Sequence, residues 1–138
     1  MTIDGFPHIV DVPARWGDYD MLNHLNNVSY YRFFEMVVVG FVEQIGGIDW
    51  LQDAVIPFAA ESKCRFLRPL AYREPVRAGL GVENMKTRSL TYNLALYGEA
   101  SPKPAAVGHF VHVFVDRESG KPTVIPEQVR HGFAEYRV

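Results

Sequence analysis

Between Asp18 and Asn27 the chain places two carboxylates, one histidine and three asparagines within ten residues. The next stretch is strongly apolar and reads as a helix. A helix N-terminus presents N–H groups without intrahelical acceptors and a partial positive charge of about half a unit. Such donors bind an anion, or polarise a carbonyl as it becomes an oxyanion. A carboxylate on the loop before that helix acts as general base on water, or attacks an acyl carbon directly. Base plus oxyanion donors suffice for acyl transfer to water without a metal or an organic cofactor.

The elements that must hold this kit follow from pattern. Residues 8–14 mix branched apolar with polar residues and read as a first strand. Residues 17–27 are rich in Asp, Asn and Gly and read as a loop, with Asn26 and Asn27 as candidate helix caps. In residues 28–45, Val37, Val38 and Val39 favour a strand. The run is nevertheless long, unbroken by turn chemistry except Gly40, and closes on Gly46-Gly47, a helix stop. With polar residues sparse on every side, it reads as a helix buried all round. Residues 48–52 read as one short helical turn. Residues 54–67, 76–85, 90–97 and 105–115 read as strands, separated by the turn residues of 68–69, 73–75, 86–89 and 101–104. Residues 126–136 read as a terminal helix with Pro126 at its first position.

The expected architecture is α+β: successive strands joined by short turns into an antiparallel curved sheet wrapped around one long central helix. In Phe110–Val115 both faces of the strand are apolar. A sheet face left over after covering the helix implies a second subunit, so a homodimer or homotetramer is expected.

Bulk composition excludes several classes. The 138 residues, 48% apolar and 22% charged with a net charge of −2, fit one domain over residues 1–138 with an adequate core. No global charge points to nucleic acid or to an anionic membrane. The longest apolar run, residues 36–42, is far short of the roughly 20 residues a membrane span needs. With one cysteine, Cys64, there is no intramolecular disulfide and no multi-cysteine metal site. The opening residues carry no signal-peptide pattern, so a cytoplasmic protein is expected.

The run Arg15-Trp16-Gly17-Asp18-Tyr19-Asp20, followed by His24, Asn26-Asn27, Tyr30 and Glu35, resembles the signature of the hotdog-fold thioesterases of the 4-hydroxybenzoyl-CoA thioesterase type. It is similar also to the corresponding loop of bacterial long-chain acyl-CoA thioesterases and plant acyl-carrier-protein thioesterases. The element order resembles that fold along nearly the whole chain, and Phe66–Leu70 resembles the family's second-strand ending.

The resemblance implies hydrolysis of an acyl-CoA thioester at a subunit interface, without cofactor or metal. It puts the catalytic carboxylate at Asp20 and the carbonyl-polarising N–H at Asn27. Tyr30 and Glu35 fall at helix positions usually aromatic and acidic. Lys86, Arg88 and Ser89 fall in the turn where some members contact the nucleotide phosphates of coenzyme A. His24 matches the plant enzymes, but Leu22 stands where they carry an asparagine. A hydratase reading fails because no proline follows Asn23 and the spacing from Asp18 or Asp20 is wrong.

Each residue has a plainer reading. Asp20 can be a loop residue bonded to its own backbone. Asp18 reads as structural, turning the loop or pairing with Arg15, and His24 as catalytic, carbonyl-binding or loop-supporting. His109 and His112 read as packed or interfacial, and Cys64 as a buried structural thiol. Lys86 and Arg88 also read as solvated turn charges, with Arg65, Arg68, Arg73 and Arg77 as further phosphate candidates. Two rivals remain open at this stage: hydrolysis on acyl carrier protein, and a non-catalytic acyl-CoA-binding module.

Overall fold

The computed structural model describes residues 2–138. Five strands, β1 (His8–Val12), β2 (Val55–Phe66), β3 (Val76–Glu83), β4 (Ser89–Tyr97) and β5 (Ala106–Asp116), form one antiparallel sheet. Helix α1 (Asn27–Gln44) lies between β1 and β2 in sequence, and helix α2 (Glu127–Phe133) follows β5. The strands and α1 fall within two residues of where the sequence puts them, but the expected terminal helix over 126–136 is corrected: α2 begins after Pro126, which is its cap, and gives way to a 3-10 turn at Ala134–Tyr136. Residues 48–52 form turns rather than a helical turn.

Helix formation in α1 overrides the strand preference of its three valines because of where its apolar residues fall. Ser29, Tyr30, Phe33, Phe34, Val37, Val38, Phe41 and Val42 are the buried positions, two adjacent columns repeating every four residues. Phe33, Phe34, Val38, Phe41 and Val42 are fully buried, and each contributes roughly 1.5–3 kcal/mol by leaving water. The Asn26 side chain caps the start by accepting the Val28 N–H at 3.0 Å. Gly47, with φ at +68°, supplies the left-handed residue that turns the chain away at the end. The expectation of burial all round is corrected: Val28, Tyr31, Met36 and Val39 are exposed on the opposite face. One face covers the sheet, and the other is left bare by this chain.

The strand order is β1-β3-β4-β5-β2, so the expected pairing of neighbours in sequence is corrected at one place. β2 pairs with β5, from Val55 opposite Asp116 to Phe66 opposite Ala106. The link to β3 must therefore cross the end of the sheet. Those strands stand about 14 Å apart, three ladder spacings. The nine residues between Phe66 and Val76 reach about twice that when extended, which leaves slack for the chain to dip under the sheet end. Leu70 in that link is fully buried in the core.

The outer face of the sheet is covered in part by the chain itself. Ile3 and Phe6 pack there with Ala95 and Tyr97, a contribution the sequence pattern did not suggest. β2 is the opposite case: it is an edge strand of 12 residues, with a bulge between Ala59 and Glu61 and with Phe58 and Phe66 exposed. No helix of the described residues is long and apolar enough to cross a membrane.

One buried ionisable group makes the core pH-sensitive. His112 on β5 is 3% exposed, with its Nδ1 3.0 Å from the Tyr92 hydroxyl. Burial pushes the imidazole down to about 3 from its usual 6.5, because the interior penalises the charged ring. The unfolded chain binds that proton from about pH 6.5 downward while the folded chain refuses it. Folding stability is therefore whole above pH 6.5 and falls as pH drops toward 3. We expect a loss of about 1.4 kcal/mol per pH unit below roughly pH 6, measured by urea unfolding from pH 7 to 5. His112→Leu should be less stable at pH 7, having lost the Tyr92 partner, yet much flatter across that range. An unchanged slope in the variant would rule out His112 as the source.

Candidate active site

The loop between β1 and α1 is built around Asp18. Its carboxylate accepts the Arg15 N–H at 2.7 Å and the Ser29 hydroxyl at 3.1 Å, and it pairs with the Arg32 guanidinium. Burial alone would push Asp18 up. The Arg15 N–H, the Arg32 guanidinium and the Ser29 hydroxyl together hold it below the ordinary carboxylate value. The Asp18 carbonyl accepts the Asn26 N–H at 2.7 Å, which ties the loop back to the helix cap. The structural reading of Asp18 holds, with Arg15 contributing its backbone. The Arg32 partner lies one helical turn inside α1, too far along the sequence to be read from local spacing.

Beyond Asp18 the chain folds back on itself. The Asp20 N–H donates to the His24 carbonyl at 2.9 Å, and the Asn23 N–H to the Asp20 carbonyl at 3.0 Å. Asn23 takes the left-handed conformation, φ 60°, one of the few that asparagine tolerates well. Within this turn Asp20 Oδ1 accepts the Leu22 N–H at 2.8 Å and the His24 N–H at 3.3 Å. The plainer reading of Asp20 is thus realised: one oxygen bonds the loop. The residue is nonetheless exposed and lines cavities on two sides.

The crossover from β2 to β3 closes the site from below. The Leu25 N–H donates to the Leu70 carbonyl and the Tyr72 N–H to the Asn23 carbonyl, both at 2.8 Å, and His24 bridges Ala71. Arg68 on the crossover pairs with Glu74 at 3.2 Å.

The resulting cavity, about 310 Å³, is lined by Asp20, His24 and Asn27 among polar groups and by Leu25, Tyr30, Phe66, Leu67, Arg68 and Pro69. Asn27 is the first residue of α1. Asn26 accepts the next two N–H groups, that of Val28 through its side chain and that of Ser29 through its carbonyl. The Asn27 N–H is the tip donor that helix geometry leaves outside the ladder. Tyr30 is buried, its ring edge-on to Phe66 with centroids 5.0 Å apart.

Two further cavities adjoin. One, about 420 Å³, shares Asp20 and adds Trp16, Tyr19, Met21, Asn23 and Tyr72. Trp16 and Met21 are 81% and 96% exposed. The other, about 450 Å³, lies between the bare face of α1 and β2, with Tyr31, Glu35, Ala60 and Phe110 in its walls.

The structure therefore brings Asp20, His24, Asn27 and Tyr30 together and does not bring the rest. Glu35 faces the α1–β2 cavity, two helical turns from the tip. Lys86, Arg88 and Ser89 sit at the opposite end of the sheet. Ser89 is opposite Val113, whereas the crossover leaves from the end where Leu96 meets Ala106. Arg130 donates to the Lys86 carbonyl at 2.6 Å and the Phe114 N–H to the Arg88 carbonyl at 2.8 Å. Cys64 is held protonated, pushed up to about 11 by burial, which is the behaviour of a packed thiol and not of a nucleophile. His109 pairs with Glu61. Among the described residues no group of three or more His, Cys, Asp and Glu side chains could hold a metal ion. Sequence reasoning missed Glu74, read only as turn chemistry between Arg73 and Pro75, and Tyr72, whose closeness to Asp20 depends on the crossover.

A loop carboxylate and a helix tip line one cavity, the kinds of group that acyl transfer to water uses. Residues 14–133 match the family model of the thioesterase-like superfamily, and the chain belongs to that superfamily. The PA5185 protein of Pseudomonas aeruginosa, known from its crystal structure, is 34% identical with a TM-score of 0.93, over 99% of this chain and 95% of that one. A Thermus thermophilus thioesterase, crystallised with coenzyme A and zinc, is 27% identical with a TM-score of 0.78, over 94% and 93% of the two chains. The uncharacterized protein YsmA of Bacillus subtilis is 29% identical over 111 residues, covering 80% of this chain and 74% of its own.

The loop's dependence on Asp18 is open to direct measurement. Asp18→Ala removes the acceptor of three donors, one of them charged, and should cost about 2–4 kcal/mol. Asn26→Ala removes only the cap and should cost about 1 kcal/mol. Chemical unfolding of the two variants beside the parent checks the ranking; equal losses would show that Asp18 does not organise the loop.

Proposed function

We propose that this protein hydrolyses acyl-CoA thioesters, with Asp20 as the reactive carboxylate and the Asn27 N–H as the oxyanion donor. The observation that carries the reading is that both line one cavity at the tip of α1. The carbonyl oxygen of the thioester rests on the Asn27 N–H. Asp20 then takes a proton from water as the water oxygen bonds to the acyl carbon, or attacks that carbon itself to give an anhydride that water later opens. The carbon–sulfur bond breaks, and the sulfur of coenzyme A leaves as a thiolate that takes its proton from the protonated Asp20 in the first route and from solvent in the second. The charge that grows on the carbonyl oxygen meets a fixed donor and the positive helix end, which lowers the barrier without rearrangement at the moment of reaction. His24, joined to Asp20 in both directions through its backbone, holds the carboxylate to its place; its ring adds a polar group to the wall.

Coenzyme A is favoured as the carrier because the Thermus thioesterase, similar over nearly its whole length, was crystallised with it. The acyl group runs past the edge contact of Tyr31 and Phe66, centroids 6.3 Å apart, into the cavity that holds Glu35. A second copy of the chain completes the site. The unpaired edge of β2, with Phe58 and Phe66 exposed, and the bare face of α1 form one continuous surface for it. A two-fold axis across antiparallel β2 edges sets the Val55 end of one strand beside the Phe66 end of the other. The Lys86–Ser89 turn of one subunit then points toward the Asp20 cavity of its neighbour, where it would meet nucleotide phosphates. A single cysteine, Cys64, suits the reducing cytoplasm.

Thiol release should be measured across aromatic, short, medium and long acyl-CoAs, and on matched acyl carrier proteins. We expect turnover of at least one acyl-CoA class. Asp20→Asn should lower kcat by about a thousandfold with the unfolding midpoint little changed. Near-native turnover by that variant would sink the assignment of Asp20. Tight acyl-CoA binding without thiol release by the parent would make the protein a binding module instead.

A further inference from the structure

Resting on the reading of Asp20 as the reactive carboxylate, we propose that Glu74 is a positioning residue for the reaction: from the crossover it fixes the strip of backbone to which the Asp20 loop is bonded, and it pins Arg68 in the cavity wall. Glu74 never reaches the cavity itself. Its side chain is 9% exposed and serves three donors. Oε1 accepts the Ala71 N–H at 3.2 Å, while Oε2 accepts the Ala100 N–H at 2.9 Å and the Arg68 Nη2 at 3.2 Å. Burial would push this carboxyl up. The Ala100 N–H, Arg68 and the Ala71 N–H outweigh it and keep Glu74 below its ordinary value, so it stays an anion.

The path from Glu74 to Asp20 is short and made of named bonds. Ala71, held by Oε1, bridges His24. On either side of Ala71, Leu70 accepts the Leu25 N–H and Tyr72 donates to Asn23. His24 in turn donates to the Asp20 carboxylate and accepts the Asp20 N–H. The turn from Leu70 to Tyr72 is a plate, and Glu74 is the bolt that ties it to the β4–β5 loop through Ala100.

Gly98 leaves room for the carboxylate: a Cβ there would stand 2.1 Å from Oε2 and would push Glu74 off its donors. Arg68 gives Nη1 to the Pro69 carbonyl at 3.2 Å and Nη2 to Glu74, and its buried Nε has no acceptor among the described residues. Its place in the wall therefore rests on those two bonds, of which only the one to Glu74 is an ion pair.

Three converging donors need an acceptor at every position. A glutamine offers one oxygen and turns an NH₂ group against a donor, so Glu74→Gln breaks the arrangement with almost no change of shape. Backbone amide exchange of the variant and the parent, read by mass spectrometry or NMR, reports on the plate without reference to activity. We expect exchange at Leu25 and Tyr72 about tenfold faster in Glu74→Gln, with the amides of the middle strand β4 unchanged. In steady-state kinetics we expect kcat to fall about ten- to fiftyfold while KM stays within about threefold, since Arg68 is the one cavity-lining residue that loses a bond to Glu74. Should Glu74→Gln fail to fold, Glu74→Asp, which keeps the charge and withdraws it by one methylene, carries the same test. Arg68→Met, which leaves both backbone bonds to Glu74, should alter Leu25 exchange by less than about threefold.

Uniform acceleration over all amides, or unchanged exchange at Leu25 and Tyr72, overturns the proposal. So does an Arg68→Met variant that loosens Leu25 as much as Glu74→Gln. A parent protein that releases no thiol from any acyl-CoA overturns the acyl-CoA reading instead, and the exchange pattern still decides whether Glu74 holds the loop.

Discussion

The crossing of the chain under one end of the sheet is the constraint on which the site depends. β2 leaves the sheet at one edge and β3 re-enters it next to the other edge strand, so residues 67–75 must pass the open ends of β4 and β5. That end is also where the first turn of α1 arrives. Two loops are thereby forced against one helix tip, and their backbone groups have to be satisfied there, because buried N–H and C=O groups without partners are costly. They satisfy one another where Leu25 bonds Leu70 and Tyr72 bonds Asn23, the two bonds that set His24 opposite Ala71. The cavity is the space left between them.

This arrangement separates two jobs that a pair of nearby carboxylates could confuse. Asp18 is buried, triply bonded and held below its usual value; its charge is consumed in fixing Arg32 and the Ser29 hydroxyl to the loop. Asp20, two residues on, points the other way and gives only one oxygen to the backbone. Alternation along an extended stretch sends neighbours at i and i+2 to the same side, so the opposite fates require the chain to turn between them. The short 3-10 turn at Trp16–Asp18 and the reversal ending at the left-handed Asn23 provide that turn. On the proposed reading the accessible carboxylate beside the helix tip is the one that reacts.

Much of this was legible in the residues, and the gaps have physical causes. Helix α1 was readable because a long apolar run without turn chemistry and with a Gly-Gly stop outweighs three β-branched residues. The Asp20 to Asn27 segment was readable because loop carboxylate and helix cap are adjacent in sequence. Strand order was not readable. Nothing in the composition of β2 says that it pairs with β5, since pairing is settled by how residues 67–75 fill the end of the core with Leu70. The cover of Phe6 over the sheet's outer face escaped notice for the same reason: six residues at a terminus have no periodicity to read. The expected burial of α1 on every side was wrong: sparse polar residues did not reveal that this chain buries only one of its faces.

That bare face bears on how the site can work. On the proposed reading an acyl chain needs an apolar lining, and Tyr31, Met36 and Val39 are exposed on this face, with β2 walling the groove beside Tyr31 on one side. The edge of β2 beside it carries a bulge at Ala59–Glu61, a device that interrupts indiscriminate edge pairing while leaving the rest of the strand open. A single edge of twelve residues, half apolar and bulged near its middle, favours a partner that presents the same features in reverse, which a two-fold copy does and an arbitrary strand does not. On this view the open groove beside Glu35 is half of a pocket. The contrast with the helix tip is then physical: the chain positions its own polar groups there through directional backbone bonds, whereas apolar walls, whose burial is non-directional and needs no exact partner atoms, are what a second copy could supply.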